Sequence, residues 1–196
     1  MMLPFRFYGQ FDPPVDRILY ERYFVDRTVP GICLECGAAD GVNLSSTKFF
    51  EESLGWRSIN IEALPRYFDL LVKNRPNATN ICAALTDQEG PQYLNDHHLT
   101  SRVVPKGTRH ALTVQGTTYR KVVEQLGIDR LDLMVLDVEF HEEAALAGMA
   151  GSPVMPDIFC VEANAGRNDI IVGLVTAMGY TLDYTFKVNR FFRRNG

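Results

Sequence analysis

A chain of 196 residues with 46% hydrophobic and 22% charged content has the size of one ordinary globular domain, able to bury about 70% of its unfolded surface without disulfide or metal staples. Twenty Lys and Arg against 24 Asp and Glu leave a formal charge of −4, which excludes bulk electrostatic binding to nucleic acid or anionic lipid. Apolar runs such as Ile158-Phe159-Cys160-Val161 fall far short of the roughly 20 residues of a membrane helix. The N-terminal Met-Met-Leu-Pro-Phe-Arg-Phe-Tyr has no basic region, apolar core and small-residue cleavage site. A cytoplasmic, reducing setting is therefore expected. Cysteines 33, 36, 82 and 160 lie among apolar neighbours and read as small core hydrophobes.

No repeat or linker-like tract interrupts the chain, so residues 1–196 are expected to form one domain, with 1–30 as a helical N-terminal extension. Pro13-Pro14 followed by Ile18, Leu19 and Tyr23-Phe24 predicts a helix from about 14 to 25. A buried strand follows at Gly31–Cys36. A helix is expected from Asn43 to Leu54, capped by Asn43 or Ser45 and ended by Gly55. Strand Arg57–Glu62, a helix opened by Pro65 and closed by Arg75-Pro76, and strand Ala78–Leu85 come next. Between 91 and 116 the pattern weakens around a polar loop with His97-His98 and Ser101, a candidate lid over an acceptor.

Helix Thr118–Leu126 with Gly127 as its stop leads into Leu131–Asp137, a strand apolar enough to be buried on both faces. Glu142–Met149 reads as a short helix and Asp157–Glu162 as a strand. Asp169–Met178 is a helix stopped by Gly179. Tyr180–Lys187 is a strand joined through a Val188-Asn189 turn to Arg190–Arg194. Alternating strands and helices predict an α/β fold with a mostly parallel sheet, an antiparallel last strand and helices on both faces. Ligands of such sheets sit outside the carboxyl ends of the strands.

The first strand ends Leu34-Glu35-Cys36-Gly37-Ala38-Ala39-Asp40-Gly41. Glu35 and Asp40 stand where the dinucleotide fingerprint has glycines, so an anionic pyrophosphate is disfavoured and a cationic ligand tolerated. An acidic-x-Gly-x-x-x-Gly turn of this form suits S-adenosylmethionine, which carries a sulfonium and an ammonium. Glu62 lies 21 residues after Gly41, where an α/β nucleotide site places the carboxylate that holds ribose hydroxyls.

These residues, with Ser46–Glu52, Gly55-Trp56-Arg57, Asn74–Ala78, Ala83–Gly90 and Leu131–Glu139, resemble the FkbM-type S-adenosylmethionine-dependent methyltransferases over about residues 30 to 150. Phe140 departs from the pattern, since that family usually has glycine there. The resemblance implies a Rossmann-like class I methyltransferase with a seven-stranded sheet. It implies that Glu35, Gly37, Ala38, Asp40 and Gly41 line the methionine moiety, Glu62 with Ala63 holds the ribose, and Ala84 and Leu85 border the adenine. It also implies O-methylation of a sugar or natural-product hydroxyl.

A hydroxyl acceptor must lose a proton, so a base or a metal is expected near the fourth and fifth strand ends, where Asp137, Glu139, His141, Glu142, Glu162 and Asn164 are available. Asp137, Glu139 and His141 are the catalytic candidates, with Asp137 also placed to meet the cofactor's ammonium. No residue is assigned as a metal ligand. Mg²⁺ stays an option, with Asp137, Glu162 and Asn164 as candidates. The alternatives are an NAD-linked oxidoreductase, opposed by Glu35 and Asp40, and a non-catalytic cofactor-binding module. The expected partner is a small-molecule hydroxyl acceptor, without nucleic acid or membrane. Lys187, Arg190, Arg193 and Arg194 read as a solvated face, with docking of a phosphorylated acceptor as the alternative.

Overall fold

The computed structural model describes residues 5–196 of the protein, and the first four residues of the expected N-terminal extension lie outside that range. Among the described residues, ten strands and six α-helices follow one another. Strands β1 (Ile32–Cys36), β2 (Arg57–Glu62), β3 (Thr79–Cys82), β7 (Leu131–Leu136), β8 (Pro156–Glu162), β9 (Tyr180–Phe186) and β10 (Asn189–Arg194) form one sheet in the order β3-β2-β1-β7-β8-β10-β9. All neighbours are parallel except β10, which runs antiparallel to both β8 and β9. The chain builds outward from β1 through β3, then returns to start the other half at β7. The crevice at this reversal lies outside the carboxyl ends of β1 and β7.

Period-two alternation explains how the sheet is covered. Leu34, Cys36, Met134, Leu136, Phe159 and Val161 face one core with α4 (Tyr119–Leu126), α5 (Glu142–Ala147) and α6 (Asn168–Ala177). Cys33, Leu133, Val135, Ile158 and Cys160 face the other, against Phe49, Phe50 and Trp56 and the N-terminal α1 (Val15–Leu19), which continues as a π-helical turn over Tyr20–Phe24. Strand β7 is buried along its whole length, as its apolar run predicts. Its single acid, Asp132, accepts the Ile32 N–H at 2.7 Å and pairs with Arg27 at 2.8 Å, so the buried charge is compensated.

Several boundaries differ from the sequence reading, most by one or two residues. Helix α2 covers only Lys48–Leu54, because Ser45, Ser46 and Thr47 are held by Glu35 instead of by helical hydrogen bonds. The single strand expected at Ala78–Leu85 is broken. Thr79–Cys82 stays in the large sheet, whereas β4 (Ala84–Leu85) joins β5 (Gly90–Leu94) and β6 (Leu112–Thr117) in a second sheet of order β4-β6-β5. The weakly patterned segment is therefore a β-hairpin with a long tip. The final turn sits at Lys187-Val188, Lys187 taking φ +54, and Asn189 already belongs to β10. No helix among the described residues is long and apolar enough to cross a membrane.

Candidate active site

At the end of β1 the backbone turns against the end of β7. Gly37 has φ +83, and a Cβ there would fall 1.8 Å from the Asp137 carbonyl oxygen, so only glycine fits. The N–H groups of Gly37 and Ala38 both donate to the Ile61 carbonyl, at 3.0 and 3.2 Å. A cavity of about 290 Å³ opens here, lined by Glu35, Gly37, Ala38, Glu62, Ala63, Ala84, Leu85, Asp137, Glu139 and His141 among others. The fold thus brings together residues from five strand ends, and α3 (Pro65–Asn74) contributes Tyr67 to the same wall.

Two of the expected cofactor residues stand elsewhere. Asp40 Oδ1 accepts the N–H groups of Val42 and Asn43 at 2.9 and 2.8 Å, and its other oxygen accepts Asn43 Nδ2. Gly41 packs under Leu71 and Arg75. Neither borders the cavity among the described residues. They shape the turn instead, a local role that spacing alone does not separate from ligand contact.

Glu35 borders the cavity, but its carboxylate serves the protein. It accepts Ser45 Oγ at 2.6 Å, the Ser46 N–H at 2.6 Å and Thr47 Oγ1 at 2.7 Å. With about four lone-pair sites on a carboxylate, little remains for a ligand. Glu62 differs. Its two oxygens accept one backbone N–H each, from Ala39 at 2.9 Å and from Leu64 at 2.8 Å. With one such bond on each, both oxygens keep acceptor capacity at the cavity. Burial of the Glu62 carboxylate raises its pKa.

Four acids crowd the end of β7. Carboxylate oxygens of Asp137, Glu142 and Glu162 lie within 4.8 Å of one another. Burial, followed by the Glu162 charge, pushes the Asp137 carboxyl well above the usual carboxylate range. Burial and the charges of Glu162 and Glu142 raise Glu139 to about 7. Glu142 is partly compensated by the Val138 N–H at 3.1 Å. Asn164 turns its Nδ2 toward Glu162 at 2.8 Å, so Glu142, not Asn164, completes the acidic trio. His141 precedes α5 with Nε2 3.2 Å from Thr86 Oγ1, and burial lowers its pKa, so it is neutral at pH 7.

Glu139 and Phe140 take φ values of +52 and +69. This is the left-handed region that favours glycine, which gives a physical reason for the glycine that Phe140 replaces. The residue is 45% exposed. Gln10, Asn189 and Arg102 also border the cavity, and the sequence reading names none of them as site residues. Gln10 is delivered by an N-terminal strap whose Tyr8 and Gly9 N–H groups donate to Asp16 at 2.7 and 3.0 Å. The basic C-terminal residues are engaged away from it: Arg193 with Asp183, Arg194 with Asp157 and Arg190 with Asn168.

The sheet, mostly parallel with its antiparallel strand near one edge, is that of the class I methyltransferase fold. The sequence matches the methyltransferase FkbM domain over residues 35–182, and the chain belongs to that family. A comparison with curated protein sequences finds no match. Among solved structures, the chain is similar to methyltransferase FkbM from Methylobacillus flagellatus KT at 14% identity and TM-score 0.59, covering 90% of this chain and 47% of that one. It thus spans about half the length of that protein. It is also similar to a putative RNA methyltransferase, PH1948, from Pyrococcus horikoshii, at 11% identity and TM-score 0.53, with 94% and 85% covered. Aeropyrum pernix fibrillarin, solved with natively bound S-adenosyl-L-methionine, aligns at 13% identity and TM-score 0.53, covering 91% of this chain and 71% of that one.

Proposed function

We propose that the protein transfers a methyl group from S-adenosylmethionine to a hydroxyl of a small molecule, of sugar or natural-product type, with Glu139 as general base. The observation that carries this reading is a carboxyl held at about 7 in the same cavity as Glu62, whose oxygens keep acceptor capacity. A base is most effective when its pKa lies near the working pH. His141, with its lowered pKa and its contact to Thr86, is the weaker candidate.

When bound, the cofactor supplies a methyl group on a sulfonium. The chain's own part is to hold the ribose hydroxyls on Glu62 and the cationic end near Asp137 and Glu162. Ala84 and Leu85 offer an apolar border for the base. Holding the acceptor oxygen in line with the methyl can supply roughly 7–11 kcal/mol of the barrier. The acceptor proton then passes to a Glu139 Oε.

Pyrophosphate binding is opposed by Glu35, one of the two residues the sequence suggests, and by acids at the ends of β7 and β8. The Ser46 N–H, which precedes α2, is already taken by the Glu35 carboxylate, and Asp137, Glu139 and Glu162 line the remaining space. We therefore place the NAD-linked oxidoreductase second, and the acid–base equipment argues against a non-catalytic module. A cytoplasmic setting belongs to the same proposal. Calorimetric titration with S-adenosylmethionine and NAD, followed by an S-adenosylhomocysteine release assay on paired hydroxyl and amine acceptors, tests it. Binding of NAD alone, or turnover confined to amines, refutes it. The clustered carboxylates are also the donor type of Mg²⁺, so the assay includes a chelator arm, in which unchanged turnover removes the metal.

A further inference from the structure

The tip of the β5–β6 hairpin carries charge of one sign. From His97 to His110 it holds Arg102, Lys106, Arg109 and three histidines without an acid, in a chain of formal charge −4. Asp96, just before it, is paired with Arg66 at 2.6 Å. Among the described residues, Arg102, Lys106 and Arg109 form no ion pair. Lys106 and Arg109 are exposed loop cations. Arg102 is exposed as well, but it also borders the cavity.

The backbone of Arg102 is fixed on both sides by one residue. Its N–H donates to Asn95 Oδ1 at 2.8 Å, and its carbonyl accepts the Asn95 N–H at 3.1 Å. The Val104 N–H donates to the Tyr93 carbonyl at 2.7 Å, and Leu94 bridges Val103, so the return of the tip is bound to the end of β5. From this anchor the guanidinium reaches a point 5.9 Å from the centroid of the Phe140 ring, next in sequence to Glu139. Arg102 is the one Arg or Lys that borders the cavity. A planar fork of five donors without an ion-pair partner is suited to carboxylate or phosphate oxygens.

We infer that Arg102 receives an anionic substituent of the acceptor, a phosphate or a carboxylate, so that the hydroxyl to be methylated lies beside Glu139. This deepens the methyl-transfer reading and rests on it. Asp137, Glu139 and Glu162 line the same cavity, so the acceptor's anion depends on the bound cofactor to offset this acidic floor. The sulfonium and ammonium of the cofactor add positive charge to the same floor. An anionic acceptor therefore binds after the cofactor, steered by Lys106 and Arg109 and seated on Arg102.

The test titrates the full chain, loaded with S-adenosylmethionine, with inorganic phosphate, pyrophosphate and acetate at low ionic strength. At least one anion binds, Arg102→Gln weakens it about tenfold or more, Arg102→Lys restores part of the loss, and cofactor affinity changes less than about twofold. Preference for phosphate or pyrophosphate identifies a phosphorylated acceptor, and preference for acetate a carboxylate. Absence of binding by all three anions, or affinities indifferent to Arg102→Gln, overturns the inference. If the protein fails to load with cofactor, the methyl-transfer reading fails, and the same titrations of the unloaded wild type and Arg102→Gln decide the anion site separately.

Discussion

Once Ala39 and Leu64 have donated to it, Glu62 can accept only from groups inside the cavity. A diol that binds there makes charge-assisted hydrogen bonds, each worth about 1.5–3 kcal/mol. Glu62→Gln keeps the shape and one acceptor oxygen but loses the charge and turns an N–H₂ toward a donor. Its dissociation constant for S-adenosylhomocysteine should rise about 10- to 100-fold by calorimetry, and an unchanged constant would show that the ribose lies elsewhere. Glu139 makes the opposite prediction. A general base works deprotonated, and burial with the neighbouring acids places its pKa at about 7, so the rate should fall as pH drops below about 7 and level off above it. Glu139→Gln should lower kcat about 10²- to 10⁴-fold and abolish that pH step, with cofactor affinity retained. Initial rates from pH 5.5 to 9 for both forms check it. The position of Glu62 and Glu139 at the cavity was legible from sequence because each ends or just follows a strand. Asp40 looked equivalent on spacing, yet the oxygens of so short a side chain are captured by its own turn, which only coordinates reveal.

The element that walls the cavity between β1 and α2 depends on a residue that the sequence presents as the end of a helix. Arg75 is 1% exposed. It binds Glu51 at 2.5 Å, the Gly41 carbonyl at 3.2 Å, and the hydroxyls of Ser58 and Ser45 at 2.7 and 3.3 Å. Ser45 and Thr47 in turn hold Glu35, so one buried network ties α3 to the turn before α2. Its removal would strand Glu51 and several buried hydroxyls. Arg75→Met should destabilise the protein by about 3 kcal/mol, the low end for a broken buried pair because Glu51 keeps some solvent. Arg75→Lys, which keeps the charge without the fork, should recover less than half. Urea midpoints at constant m-value measure both. The element types were readable from apolar period and from stop signals such as Gly55 and Gly127, both of which are left-handed caps. The boundary at 43–48 was not, because hydroxyls that can cap a helix were drawn to a carboxylate distant in sequence. The break after Cys82 was hidden for a similar reason: Ala84 and Leu85 read as strand and are strand, but in another sheet.

Across the whole molecule, acids from β1, β2, β7 and β8 meet at one end of the sheet, and the cavity between them is bordered by Arg102 alone among Arg and Lys residues. Such a site favours a ligand that brings cationic charge at one end and a diol at the other. S-adenosylmethionine has both, whereas NAD has a diol and a pyrophosphate that would face Asp137, Glu139 and Glu162. The difference should appear in global stability, since a ligand that binds only the folded state stabilises it by mass action. At about 100 times its dissociation constant, S-adenosylmethionine adds roughly 2.7 kcal/mol. At roughly 2–4 °C per kcal/mol for a chain of this size, the unfolding midpoint should rise by about 5–11 °C. NAD at equal concentration should leave it within about 1 °C. Glu62→Gln should reduce the S-adenosylmethionine shift, while Glu139→Gln should preserve it, which separates the residue that holds the cofactor from the residue that takes the proton. A shift with NAD that equals the shift with S-adenosylmethionine would mean that the fold end recognises a nucleoside and not a sulfonium, and the acids at β7 and β8 would then need another partner.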